Sequence, residues 1–220
     1  MNSLPKILLF TFVLAVSSCS STGRIIDRPI TFDTTREQLS LEYMREHYGI
    51  EKAKAEIDPK MVVVHWTVIP TLERSFAAFN PSELPGHRTA IKNAGNLNVS
   101  AHFLVDRDGT VYQLLPETTF ARHVIGLNHC AIGIENVADG KELPLTEKQF
   151  EANVKLINHL AEKYPLEYLI GHDQYKQFIG HPLWKEKDAN YLTEKTDVGP
   201  EFIQKLHYSI DKKLKPAPGL

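Results

Sequence analysis

Cysteine is almost missing from this chain: 220 residues carry two, Cys19 and Cys130. A disulfide framework is therefore excluded, and stability must come from packing or from a metal. No excess of one charge sign exists either, with 25 Lys and Arg against 27 Asp and Glu. That balance gives no reason to expect a nucleic acid or another polyanion as partner. The apolar run at residues 7–16 is too short to span a bilayer. No H-E-x-x-H is present, so the chain is not a zincin by motif. The lack of G-x-S-x-G removes the nucleophile-elbow hydrolases. No internal repeat is visible, and one sizeable domain is the natural reading of this length. The apolar and charged fractions, 42% and 24%, are those of an ordinary globular protein.

What is there begins with "MNSLPKILLFTFVLAVSSC": one lysine, a short apolar run, then small residues ending at Cys19. This is the layout of a secretory signal. The cysteine after "VSS" resembles a bacterial lipobox, which implies a signal peptide over 1–18, cleavage before Cys19 and a lipid on its sulfur. Residues 19–35 are polar, with little periodicity, and read as a tether off the membrane. The remainder, 36–215, reads as the domain.

Within it the patterns alternate. "REQLSLEYMREHYG" has apolar residues at helical spacing and a glycine stop. "MVVVHWTV" is a buried strand, and "TLERSFAAF" a helix. "AHFLVDRDGTVYQLLP" predicts two strands around Asp108-Gly109. "CAIGIENVA" is another buried strand. Thr146 and Gln149 offer a capping box for a long amphipathic helix lined by Phe150, Val154, Ile157, Leu160 and Ala161. "YLIGHDQY" reads as a strand running into a loop, and Pro200 opens a last helix. The expectation is a single α/β domain with a mixed central sheet flanked by helices.

Three polar residues sit oddly. His65 interrupts one apolar strand, Glu135 ends another, and His172 ends a third. Strand ends at one edge of a sheet are where such folds place sites. A buried glutamate is costly unless it is paired or poised for chemistry. Two imidazoles and a carboxylate form a normal set for catalytic zinc, and a carboxylate outside the set can serve as general base.

"VVVHWT", "SAHFLVDRDGTVYQLLPE", "ARHVIGLNHCAIGIENV", "LIGHDQY" and "KTDVGPEF" occur in this order over residues 61–206. Together they resemble the zinc-dependent N-acetylmuramoyl-L-alanine amidases, a family that shares its fold with peptidoglycan-recognition proteins. The resemblance implies zinc ligands at His65, His172 and Asp197, a catalytic base at Glu135, and an oxyanion-stabilising cation at Lys195. It also implies that His123 lines the substrate cleft. The activity implied is cleavage of the amide between N-acetylmuramic acid and the L-alanine of the stem peptide, by a monomer in the cell envelope. Ser20, directly after the lipidated cysteine, favours the outer membrane if the source is Gram-negative. The alternative is a non-catalytic peptidoglycan-binding lipoprotein on the same fold.

Two departures stand out. His172 and Asp197 are 25 residues apart, where the family keeps about ten, and residues 176–194 read as an inserted loop over the cleft. That loop carries His181, a rival ligand. Val198 stands where proline is common. Of the other histidines, His102 reads as a sheet residue and His87 as a loop residue, while Cys130 reads as a small core residue. A Cys130/His172 hydrolase is a further rival.

Overall fold

The computed structural model describes residues 25–86 and 94–219. The proposed signal, Cys19 and His87 lie outside the described residues. Among the described residues six strands form one sheet: β1 (Ile25–Asp27), β2 (Met61–Trp66), β3 (Phe103–Val105), β4 (Val111–Gln113), β5 (Ala131–Asn136) and β6 (Tyr168–Gly171). Their spatial order is β1-β4-β3-β5-β2-β6. Strands β3, β5, β2 and β6 are parallel neighbours, β4 runs antiparallel to β3, and β1 is parallel to β4. The sheet is thus mixed, and β2 sits between β5 and β6.

Among the described residues four α-helices flank it: α1 (Thr34–Tyr48), α2 (Leu72–Phe79), α3 (Glu147–Lys163) and α4 (Pro200–Ser209). Helix α1 starts on Asp33, whose carboxylate accepts from the Arg36 amide at 2.9 Å, and stops on Gly49 at φ 65°. Helix α3 has the expected box, with Thr146 accepting from the Gln149 amide and Gln149 reaching back to the Thr146 amide. The β3–β4 hairpin turns at Gly109, φ 85°.

The two faces of the sheet bury different partners. Val62, Val64, Ile132 and Ile134 pack against α3 and α4 through Leu156, Ile157, Leu160, Ile203 and Leu206. Met61, Val63 and Ile170 point the other way, onto Val124, Leu127, Tyr175 and Phe178. Because side chains alternate along a strand, His65 shares the face of Met61 and Val63, opposite α3 and α4. Glu135 stands in register with His65 and so shares that face.

Two segments differ from the sequence reading. Residues 25–27, read as tether, form the edge strand β1. Ile25 is half-buried on the α3-side core, so these residues have apolar surface to bury that a tether does not. Residues 172–178, read as loop, form a 3-10 helix. Its tight winding follows from Gln174, whose side chain accepts from the Gly171 amide at 3.0 Å. Among the described residues no helix is long and apolar enough to cross a membrane.

Candidate metal centre

Three parallel strands place candidate residues at one edge of the sheet. His65 is the penultimate residue of β2, Glu135 the penultimate residue of β5, and His172 follows the last residue of β6 directly. All three lie at the carboxyl ends of the strands, where open α/β sheets place ligands. The strand backbones are tied together there. Asn136 donates to the His65 carbonyl at 3.0 Å, and Asn153 of α3 donates to Asn136 at 2.7 Å.

Asp197 arrives from 25 residues beyond His172. The Asp173 amide donates to the Asp197 carbonyl at 2.7 Å. The Tyr175 hydroxyl donates to the Thr193 carbonyl at 2.7 Å and accepts from the Thr193 amide at 2.9 Å. The 3-10 helix thereby holds both ends of the 193–197 segment. Between them the chain leaves and returns: Trp184 covers Gly126 and stacks on Tyr175, the Lys187 amide donates to the His47 carbonyl, and Arg122 donates to the Tyr191 hydroxyl at 3.0 Å. Gly199, at φ 86°, then turns the chain into α4, with Pro200 in its first position.

The three donor atoms are close. His65 Nδ1 lies 2.9 Å from His172 Nδ1 and 3.2 Å from Asp197 Oδ2, while His172 Nδ1 lies 3.1 Å from the same oxygen. All three residues are buried. At zinc–nitrogen bonds of about 2.0–2.1 Å, tetrahedral ligands sit roughly 3.3 Å apart, so the triangle is close to the size that zinc requires. The donor set, two imidazoles and one carboxylate, fits a catalytic site with a remaining open position. Among the described residues it is the one cluster of this kind.

The electrostatics suit ligands. Burial pushes His172 down to about 4, helped by neighbouring His65, against the opposing pull of Asp197. Burial alone would raise Asp197, but the hydrogen bonds from His172 and His65 outweigh it and hold the carboxyl well below its ordinary range. Neutral imidazoles and an ionised carboxylate are the states in which these groups bind a metal.

Lys195 and His123 line a cavity of about 150 Å³ that also borders His172, with Tyr43, Arg122 and Tyr191 on its walls. A larger cavity of about 480 Å³ lies between β1, the β3–β4 hairpin and α3, and its lining holds no histidine or cysteine. The candidate metal cluster therefore borders the smaller one. His123 is buried, and both of its ring nitrogens face protein atoms: Nδ1 is 3.0 Å from His65 Nε2, and Nε2 is 3.1 Å from the Ala131 carbonyl. Burial, followed by the neighbouring His65 and His102, holds it well below the usual histidine range.

His181 stands apart, with Nε2 at the Tyr168 hydroxyl and Nδ1 accepting from the Leu183 amide. His102 accepts from the Gly133 amide and faces the Thr119 carbonyl through its other nitrogen. Cys130 is buried against Leu127, and burial pushes its thiol up to about 12, so it supplies no thiolate nucleophile near neutral pH.

Sequence reasoning missed Asn153 and Asn136, which hold the end of β2. The available signal was Asn153 itself, an amide on the buried face of an amphipathic helix, which must find a partner there.

The chain matches the family described as N-acetylmuramoyl-L-alanine amidase over residues 55–200. It belongs to that family. The three residues of the cluster, His65, His172 and Asp197, and the neighbouring Glu135 fall inside the matched span. Among solved structures, this amidase-family chain is similar to the N-acetylmuramoyl-L-alanine amidase LysC from Clostridium intestinale URNW. The TM-score is 0.51 at 20% identity, covering 85% of this chain and 97% of that one. It is also similar to bumblebee PGRP-SA, at TM-score 0.52 and 19% identity, covering 89% and 99%. A third is human PGRP-IβC, solved with glycosamyl muramyl pentapeptide, at TM-score 0.50 and 15% identity, covering 73% and 88%. At these identities the likeness speaks to the fold. No curated protein matches the chain by sequence.

Proposed function

We propose that this protein is a zinc-dependent peptidoglycan hydrolase that cuts the amide between N-acetylmuramic acid and the L-alanine of the stem peptide. The observation that carries the reading is the convergence of His65, His172 and Asp197 within hydrogen-bond distance of one another, with Glu135 on the adjoining strand in register with His65. Family membership supplies the substrate class.

His65, His172 and Asp197 would hold the zinc. When bound, zinc supplies Lewis acidity toward the scissile carbonyl and lowers the pKa of a water. Glu135 takes a proton from the attacking water and returns it to the leaving L-alanine amine. Lys195, on the cleft wall beside His172, offsets the negative charge that develops on the carbonyl oxygen. The cavity beside His172 holds the substrate, and the segment carrying Tyr191 and Thr193 forms one of its walls.

The proposal extends to location. Residues 1–18 act as signal peptide, 19–35 as lipidated N-terminus and tether, and 36–215 as the amidase domain with its 176–194 insertion. Edge strand β1 and the start of α1 lie inside the proposed tether, so that part of it packs on the domain. A lipid on Cys19 keeps the enzyme at the envelope membrane, where it meets peptidoglycan or muropeptides as a monomer. Replacing Cys19 with Ala should release the protein from membranes and leave its activity intact. A Cys19→Ala variant that still sediments with carbonate-washed membranes rejects the anchor.

The deciding experiment pairs metal content with digestion products. Purified protein should carry about one zinc per chain, and mass spectrometry of digested peptidoglycan should show free stem peptides beginning at L-alanine. Asp197→Ala should lose both. A wild type that binds peptidoglycan without releasing peptides would be the binding lipoprotein instead.

A further inference from the structure

We propose that His123 is a positioning residue: seated on β5, it holds His65 in the tautomer that presents Nδ1 to a metal. The inference rests on the metal reading above and adds a role to a histidine outside the ligand set.

The argument is a count of protons. The Ala131 carbonyl can only accept a hydrogen bond, so His123 Nε2, 3.1 Å away, must be the donor. In a neutral imidazole the other nitrogen is then an acceptor. His123 Nδ1 therefore accepts from His65 Nε2 at 3.0 Å, which places the His65 proton on Nε2. His65 Nδ1 keeps its lone pair, and that is the atom 2.9 Å from His172 Nδ1 and 3.2 Å from Asp197 Oδ2. One backbone carbonyl thus sets, through two rings, which nitrogen of His65 faces the metal.

The seat is built for this ring. A Cβ added at Gly133 would lie 2.9 Å from His123 Cγ and Nδ1, closer than real side chains approach, so only glycine leaves room. The Gly133 amide is itself engaged, donating to His102 Nδ1 at 2.9 Å. The His123 backbone is pinned as well. Its amide and that of Val124 donate to the Asn128 side chain at 2.8 and 2.7 Å, and Asn128 donates to the Tyr48 hydroxyl of α1. A ligating histidine ordinarily gives its second N–H to a carboxylate, a carbonyl or a water, and loss of such a partner costs about 10–100-fold in metal affinity. Here another histidine takes that place, and neither of its nitrogens remains for substrate.

Two measurements test it. The ¹⁵N and ¹H shifts of His65 in zinc-free wild type report its tautomer directly. The Nε2–H form is expected, and an Nδ1–H form overturns the proposal without any variant. Zinc affinity by competition with a chromophoric chelator gives the second readout. His123→Leu removes the acceptor and should weaken zinc binding about 10–100-fold. His123→Asn puts an amide oxygen near the Nδ1 position and should restore most of that loss. Gly133→Ala should weaken binding in the same range, and should add little in the His123→Leu background, because both act through one ring. Melting curves of the zinc-free variants establish that they are folded. If wild type and folded His123→Leu bind zinc equally, His123 does not position His65. If wild type binds none, the proposed metal function fails instead.

Discussion

The proposed mechanism gives Glu135 and Lys195 separate roles in one reaction, and each is testable alone. Glu135 is buried on β5 beside the cluster, without being one of its three converging donors. Glu135→Gln keeps the shape but cannot take up a proton. Zinc should stay, and turnover should fall about 10²–10⁴-fold, the usual contribution of a general acid–base group. Metal analysis alongside muropeptide release checks this, and a variant that sheds its zinc would make Glu135 a ligand. Lys195 is half-buried on the cleft wall. Lys195→Met should keep zinc and substrate binding and cost roughly 10²–10³-fold in turnover, as loss of a single oxyanion donor does. Unchanged turnover would move the oxyanion role elsewhere. Cys130, in contrast, is given no part in the proposed mechanism. Its thiol is buried and pushed up to about 12, so alkylating reagents should leave activity unaffected.

At the scale of elements, α3 does two things. Its apolar stripe covers one face of the sheet, and its Asn153 reaches the end of β2 through Asn136. Its start depends on Thr146, which accepts from the Gln149 amide at 3.1 Å and donates to the Arg107 carbonyl at 2.9 Å. Thr146→Ala removes both bonds and should destabilise the protein by about 1–2 kcal/mol, the upper part of the range for caps. For a domain of this size that lowers the melting temperature by roughly 2–8 °C, with zinc content unchanged. A melting temperature within a degree of wild type would show that the helix start is held by other contacts. Helix α1 is anchored differently. Arg36, almost wholly buried, donates to the carbonyls of Phe79 and Asn80 at the end of α2, where a cation meets the negative end of the helix dipole. The α3 capping box, the glycine stop of α1, the hairpin turn and the α3 stripe were legible, because each is decided by residues a few positions apart, whereas the Asp33 cap of α1 fell in the stretch read as tether. The 3-10 helix after β6 was not, because its winding depends on Gln174 folding back onto a strand end.

For the whole molecule, buried histidines predict acid sensitivity. Burial holds His102 and His129 at about 4 in the folded protein, and at His129 nearby Lys185 and Lys52 add to the effect. In the unfolded chain both titrate near 6.5. The unfolded state therefore binds more protons below pH 6.5, and stability falls as pH drops from about 6.5 toward 4. Above 6.5 the contribution is fully present. The loss is about 2 kcal/mol per histidine by pH 5, from the linkage relation. Melting temperature measured in the presence of a chelator, so that zinc loss does not enter, should fall over that window. His129→Gln should flatten part of the fall. A constant melting temperature between pH 7 and 5 would mean that these rings are accessible to protons in the native state.

Local order and the family were in the sequence. Strand periodicity, helix caps, the Asp108-Gly109 turn and the Gly199-Pro200 entry to α4 are properties of neighbouring residues, so one dimension suffices to read them. The order of motifs carried the family, and with it the expectation that His65, Glu135, His172 and Asp197 belong together. What the sequence does not contain is the strand order that places β2 between β5 and β6, out of chain order, and so brings three strand ends to one point. Nor does it contain the path by which Asp197, 25 residues past His172, returns to it, which is set by Tyr175, Asp173 and Trp184 gripping the intervening segment. The partner of His123 was likewise a tertiary decision. Its ring meets His65 because Gly133 leaves a gap the width of a side chain in β5 and the Ala131 carbonyl lies beyond it. Contacts of this kind depend on the shape of the packed sheet, and that shape exists only once residues distant along the chain have been brought together.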